Sequence, residues 1–376
     1  MFSLLINERA AEDEKQAELI EKLRNYNNTS PITEDIVKIL SKIEIRPEDV
    51  KTDREWLLAS VAVTGNHERA NLTELMAQKF AIENNVSVIK WKLPVKECSK
   101  ILIKNKYELE TMYEYDSRMW GYYVRGGPAY IKDNNLNPSK GIANGVPVTH
   151  HSLTFSTEIE NIIDIERIIE NSKPGEVVEI PYPPKFINVE LINQTIDSWH
   201  DDETLITGKV VIPIDLSTKG VKVKVFKLNH RGIKIYPTKY GQKEIPTILL
   251  VDHAVESGFA ITMHKIQGKT IKKFIIELNE RCFQPYLTYN MLLVALSRTE
   301  KLQNMRIMPL SPGNNLEYLK KLKPDPLLSV WFAGFNTNNL WNVTDATKKY
   351  NDHIISGILK INKKIKENKF YKETQE

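Results

Sequence analysis

The sequence predicts an α/β protein interrupted by a β-rich insert, and three stretches carry that expectation. The run from Trp56 to Thr64 is apolar and β-branched, stops at Gly65, and gives way to Leu72, Leu75, Met76 and Phe80 at helical spacing. That is a strand, a turn and a helix. Between residues 111 and 245, short runs such as GKVVIPIDL and GVKVKVFKL alternate with Pro and Gly clusters, including residues 181–184. This is the pattern of a small barrel or irregular β insert. Residues 246–310 then return to α/β character, with a strand before His264, another at IKKFIIEL, a helix ending near Arg298 and a strand at NMRIMPL.

Taken in chain order, residues 1–50 form a helical segment. Ala17, Ile20 and Leu23 recur at helical spacing among acids and lysines, which predicts an exposed amphipathic helix ending in the polar stretch 25–30. Thr33 is placed to cap a second helix, with Glu34 and Asp35 in its first turn and Ile36, Ile39 and Leu40 facing inward. The α/β domain starts in residues 51–110, the insert follows at 111–245, and the domain resumes at 246–310. Residues 311–376 are expected to be a helical appendage ending in a basic tail, INKKIKENKFYK.

Composition narrows the function classes. Hydrophobic residues at 41% and charged residues at 27% suit an ordered chain that buries a core, and no apolar run approaches bilayer length. The start, MFSLLINERAAEDEK, turns acidic at once and carries no secretory signal, so an intracellular setting is expected. Two cysteines are too few for a disulfide framework or a zinc site. The net charge is +4 while acids outnumber bases in the first sixty residues, so positive charge is concentrated downstream. A nucleic-acid partner is compatible with that distribution, although a lysine-rich tail is more often a solvated face.

Residues 262–270 read TMHKIQGKT, whose last three letters imitate a phosphate-binding loop. Such a loop needs a glycine five positions before Gly268 so that it can curl around phosphate, and Met263 stands there. The GKT is therefore a decoy, and no other position supplies the pattern. TILLVDHA ends a strand on Asp252 and His253, which resembles a magnesium-holding strand end, but a turn aspartate is the commoner meaning.

The pair formed by SGFAITMHKIQGKTIKKFIIEL and LTYNMLLVALSRTEKLQNMRIM resembles motifs V and VI of superfamily 1 helicases of the petite-integration-frequency (PIF) type and their RecD-like relatives. Thr262, His264, Lys265, Gln267, Gly268 and Thr270 match the first motif, with Ile266 where the family has serine; Val294 to Arg298 match the second. The stretch with Asn144 and Gly145, the VAVTGNHERANLTELMAQKF unit and the N-terminal FSLLINERAAEDEKQAELIEKLR are similar to family segments that precede motif V.

The resemblance implies a second RecA-like lobe with a small SH3-like barrel insert. It implies that Arg298 acts as an arginine finger on a γ-phosphate and that Arg9 is a second nucleotide-contacting arginine. Gln267 and Gly268 would couple the nucleotide cleft to DNA, while Thr262, His264, Lys265 and Asn144 would hold single-stranded DNA by its backbone. Trp91, Trp120, Tyr122, Tyr123 and Tyr130 offer stacking surfaces, though aromatics in β segments are core more often than not.

By the same resemblance, ATP and Mg2+ bind mainly to an upstream RecA-like lobe bearing Walker A and B motifs, which this sequence lacks. The chain is thus expected to be the C-terminal portion of an ATP-dependent 5′–3′ helicase of genome maintenance, in the nucleus or mitochondrion, and inactive on ATP alone. The alternative is a non-catalytic single-stranded nucleic-acid-binding protein derived from such a helicase.

Overall fold

The computed structural model describes residues 13–24, 32–98, 106–133, 136, 142–157, 162–192, 205–206, 209–216, 221–224, 227–228, 234–235, 238–239, 242–243, 247–267, 271–281, 285–325, 342–352 and 354–355. Helices α1 (Glu14–Arg24), α2 (Glu34–Lys42) and α3 (Pro47–Thr52) lead to strand β1 (Ser60–Val63) and helix α4 (Asn66–Glu83). The insert follows as β2 (Val88–Lys92), β3 (Val95–Cys98), α5 (Lys106–Tyr115), β4 (Trp120–Val124), β5 (Pro128–Ile131), β6 (Pro147–Thr154) and α6 (Ile162–Glu170). It continues through β7 (Val177–Ile180), β8 (Phe186–Leu191), β9 (Leu205–Ile206), β10 (Lys209–Asp215) and β11 (Val221–Lys224). Two hairpins come next, β12 (Lys227–Leu228) with β13 (Lys234–Ile235) and β14 (Thr238–Lys239) with β15 (Gln242–Lys243). The chain closes with β16 (Thr247–Leu250), β17 (Val255–Ser257), β18 (Ala260–Thr262), β19 (Phe274–Ile276), α7 (Tyr289–Leu296) and β20 (Met305–Ile307).

Four strands make a parallel sheet in the order β18-β1-β19-β20. Its strands bury residues on both faces, as parallel sheets do. Ala62 and Ile276 face a core built with Leu19, Leu23, Ile36, Leu40, Leu292 and Leu296 from α1, α2 and α7. Val61, Val63 and Ile275, one step along each strand, face Trp56 and Met76 on the other side.

The insert is a second body of β structure. Its antiparallel sheet runs β17-β5-β6-β8-β10-β9, and an isolated bridge between Leu216 and His253 returns the end of β10 to the approach of β17. That bridge links the residue after β10 to the stretch before β17, at the other edge of the sheet. A three-stranded sheet, β4-β2-β7, shares its core through Trp91, Ile89 and Val178.

The insert returns to the parallel sheet across two residues, Gly258 and Phe259. Gly258 N donates to Pro128 O at 2.7 Å, Ser60 Oγ donates to Gly258 O at 3.0 Å, and Val61 N donates to Phe259 O at 3.0 Å. A Cβ at position 258 would come within 3.1 Å of the Pro128 backbone, so the close approach at the junction favours glycine.

Several sequence expectations need correction. Residues 54–57 form a 3₁₀ turn capped by Asp53 rather than strand, because this places the Trp56 ring in the core beneath the Arg306 guanidinium, 4.6 Å from its centroid. Helix α4 does not bury Leu75, which is 62% exposed; its inner face is Ala70, Thr73, Ala77, Phe80 and Ala81. Small side chains there let the helix lie close to the strands. Helix α1 is not simply exposed, since Gln16, Leu19, Ile20 and Leu23 are all buried. In α2 the buried set is Ile36, Val37 and Leu40, with Ile39 half-buried, and Thr33 occupies the cap position without a side-chain hydrogen bond.

Beyond residue 311 the chain first adds to the α/β core: Leu316, Tyr318 and Leu319 are buried, and Tyr318 Oη donates to Leu278 O at 2.9 Å. Residues 343–352 are helical, and the lysine-rich end lies outside the described residues.

Candidate functional site

The carboxyl ends of parallel strands gather loops and helix starts on one rim, the usual ligand edge of an open α/β sheet. Here β18 ends on Thr262, which pairs with Val63 of β1. A 3₁₀ turn follows at Met263–Ile266. Its apolar members, Met263 at 1% and Ile266 at 0% exposure, plug into the core, and this turns His264 and Lys265 outward, with Gln267 exposed just after. Thr262 itself is buried, so the rim presents the imidazole and ammonium rather than the threonine.

Next to it, β1 runs into Thr64, Gly65 and the start of α4, where Asn66 and His67 are exposed. Over Gly65 lie the side-chain ends of Glu68 and Arg281, which pair with each other at 2.7 Å.

Lys265 is anchored. Its Nζ lies 2.5 Å from Glu256 Oε1, and Arg69 Nη1 of α4 lies 3.6 Å from Glu256 Oε2. Burial would push the Glu256 carboxyl up, but Arg69, Lys265 and Lys132 together hold it below its usual range. Lys132 is itself paired with Asp252. Asp252 follows the end of β16, and its Oδ1 accepts from His253 N at 2.9 Å. Among the described residues no group of three or more His, Cys, Asp or Glu is placed to hold a metal ion.

Arg298 lies two residues past α7. The helix is capped at its start by Thr288, whose Oγ1 accepts from Met291 N at 3.3 Å. At its end the guanidinium folds back: Arg298 Nε donates to Val294 O at 2.9 Å and Nη2 donates to Ser297 Oγ at 2.7 Å. A cation on the last carbonyls of a helix is favoured by the backbone dipole. The two sequence motifs meet through this region, because Met263 and Ile266 share a core with Leu292 and Leu296, and Ile271 N donates to Arg298 O at 2.9 Å.

Asn144 is exposed on the insert, away from the rim in chain order. It precedes Gly145, whose φ of +89° forms the turn into β6. Arg9 and Gly268 lie outside the described residues. Of the aromatics, Trp91 and Tyr123 are core, at 1% and 6% exposure, while Trp120, Tyr122 and Tyr130 are half-buried. Lys90 Nζ sits 4.4 Å over the Trp120 ring.

The Arg69, Glu256 and Lys132 cluster was not foreseen from the sequence. No local pattern in the sequence joins these three residues, which lie far apart along the chain.

No protein-family profile and no curated protein matches the chain. Among solved structures it is similar to a Pif1 helicase from Candida albicans, with TM-score 0.43 and 11% identity over 86% of this chain and 58% of that one. It is also similar to a Pif1 helicase from Bacteroides in complex with ADP-AlF3 and ssDNA, with TM-score 0.44 and 16% identity over 85% and 53%. A Bacteroides Pif1 bound to ssDNA gives TM-score 0.43 and 16% identity over 87% and 55%. The chain thus spans little more than half the length of these solved helicases.

Proposed function

We propose that the chain is the strand-holding, arginine-bearing portion of a PIF-type DNA helicase that couples ATP hydrolysis to 5′–3′ movement along single-stranded DNA in genome maintenance. One observation supports this reading above others: two motifs separated in sequence, residues 262–267 and the VALSR helix, share a core and are tied by the bond from Ile271 N to Arg298 O. His264 and Lys265 supply backbone-phosphate contacts on the rim, and Gln267 couples them to the nucleotide cleft.

Arg298 serves as the cation that meets the γ-phosphate once a partner lobe docks, leaving its resting bonds on α7. ATP and Mg2+ are assigned to that partner lobe, which carries Walker A and B motifs; the insert is read as an SH3-like barrel. Nuclear or mitochondrial placement belongs to the same proposal.

The test joins this chain to a lobe bearing a P-loop and compares the parent with Arg298→Ala. An arginine finger is worth about 10³–10⁵ in rate, so DNA-stimulated ATP hydrolysis should fall on that scale. Hydrolysis at full rate in the variant rejects the assignment. Salt-dependent strand binding with no hydrolysis in any pairing gives the other reading, a non-catalytic single-strand-binding protein.

A further inference from the structure

The α1 stripe at positions 16, 19, 20 and 23 has the i, i+3, i+4, i+7 spacing of a core face, and all four residues are buried. Three are leucine or isoleucine. The fourth is Gln16, 0% exposed, whose Nε2 donates to Leu296 O at 2.6 Å. Its Oε1 has no hydrogen-bond partner, and neither has the buried Thr299 Oγ1 beside the same loop. An apolar side chain would continue the stripe without that desolvation cost. The amide therefore serves position rather than packing.

One turn earlier, Asp13 Oδ1 accepts from Lys15 N at 3.1 Å and Gln16 N at 3.2 Å, capping α1, while its Oδ2 accepts from Leu302 N at 2.8 Å. Leu296 and Leu302 are the two ends of the loop that carries Arg298. The first turn of α1 thus grips that loop at both ends, and Tyr289 Oη bonding to Leu23 O fastens the far end of α1 to the start of α7.

We infer that Gln16 and Asp13 are positioning residues for Arg298, clipping its loop to α1 so that the helix and the arginine move as one body when a partner lobe approaches. The inference rests on the proposed reading of Arg298 as the phosphate-facing cation. It adds that the segment entering α1 sets where that cation stands.

Two measurements test it. In the chain alone, with 15N-labelled arginine, the Arg298 Nε–H signal is assigned by its loss in Arg298→Lys. Gln16→Met keeps the side-chain length and removes the donor, so it should shift or broaden that signal; an unmoved signal overturns the inference. Should Gln16→Met fail to fold, Asp13→Ala at the partly exposed end is read the same way.

In the protein joined to a P-loop lobe, Gln16→Met should lower kcat about tenfold while KM for ATP and single-strand affinity change less than twofold. Combined with Arg298→Ala it should add no further loss. Losses that multiply overturn the inference. Full activity in Arg298→Ala alone rejects the functional reading instead, and the signal in the isolated chain then still decides whether the clip exists.

Discussion

Acidification from pH 7 to pH 4.5 should remove stability that resides at one imidazole of the insert. His150 on β6 is 2% exposed, its ring centroid lies 5.1 Å from that of Tyr123, and its Nδ1 has no hydrogen-bond partner. Burial pushes the ring down from 6.5 to about 4; a hydrogen bond to the Val124 backbone opposes this, and the charge of nearby His253 adds slightly to it. The unfolded chain takes up the proton near 6.5 and the folded one only near 4. Falling pH between those values therefore favours the unfolded state, whereas above 6.5 neither state binds the proton and the contribution is constant.

At about 1.4 kcal/mol per pH unit, the loss accumulates to about 3 kcal/mol by pH 4. Urea midpoints followed by tryptophan fluorescence from pH 7 to 4.5 measure it, with His150→Phe as the control that cannot titrate. His253, also pushed down by burial, remains in both proteins and cancels in the comparison. The variant should lose distinctly less stability across the window. Equal slopes, or a His150 resonance that titrates near 6.5, would refute the argument.

Two further outcomes follow from individual contacts. Lys265→Ala removes one rim cation, so the slope of log affinity against log salt for an oligothymidine strand should shrink by about 0.7; an unchanged slope places the strand elsewhere. Gly121→Ala puts a methyl 2.3 Å from the Trp91 ring, which should destabilise the insert by about 1–3 kcal/mol, and an unshifted melting temperature would contradict that packing.

Part of the local geometry around the candidate residues follows from short-range pattern. Within TMHKI the apolar Met263 and Ile266 point inward and the polar His264 and Lys265 outward, because a strand end and one tight turn set side-chain directions locally. Arg298 was singled out by the resemblance of VALSR to motif VI; the local pattern gives only an apolar helix that ends just before it. What escaped were features set by topology. Glu256 meets Arg69 only because the chain leaves the sheet after α4 and comes back beside β1, and no local pattern encodes that return. Helix α4 misled through Leu75, since leucine at helical spacing outweighs alanine in any apolar count while the close approach to the sheet selects for alanine. Position 16 was silent because a glutamine among lysines and glutamates reads as solvated surface.

The two-residue passage from β17 to β18 ties the insert closely to the parallel sheet. Gly258 and Phe259 span about 7 Å of chain and are bonded to Pro128 on one side and to Ser60 and Val61 on the other. Such a passage has no slack to absorb rotation. Movement of β17 is therefore passed to β18, and with it to the turn that carries His264 and Lys265.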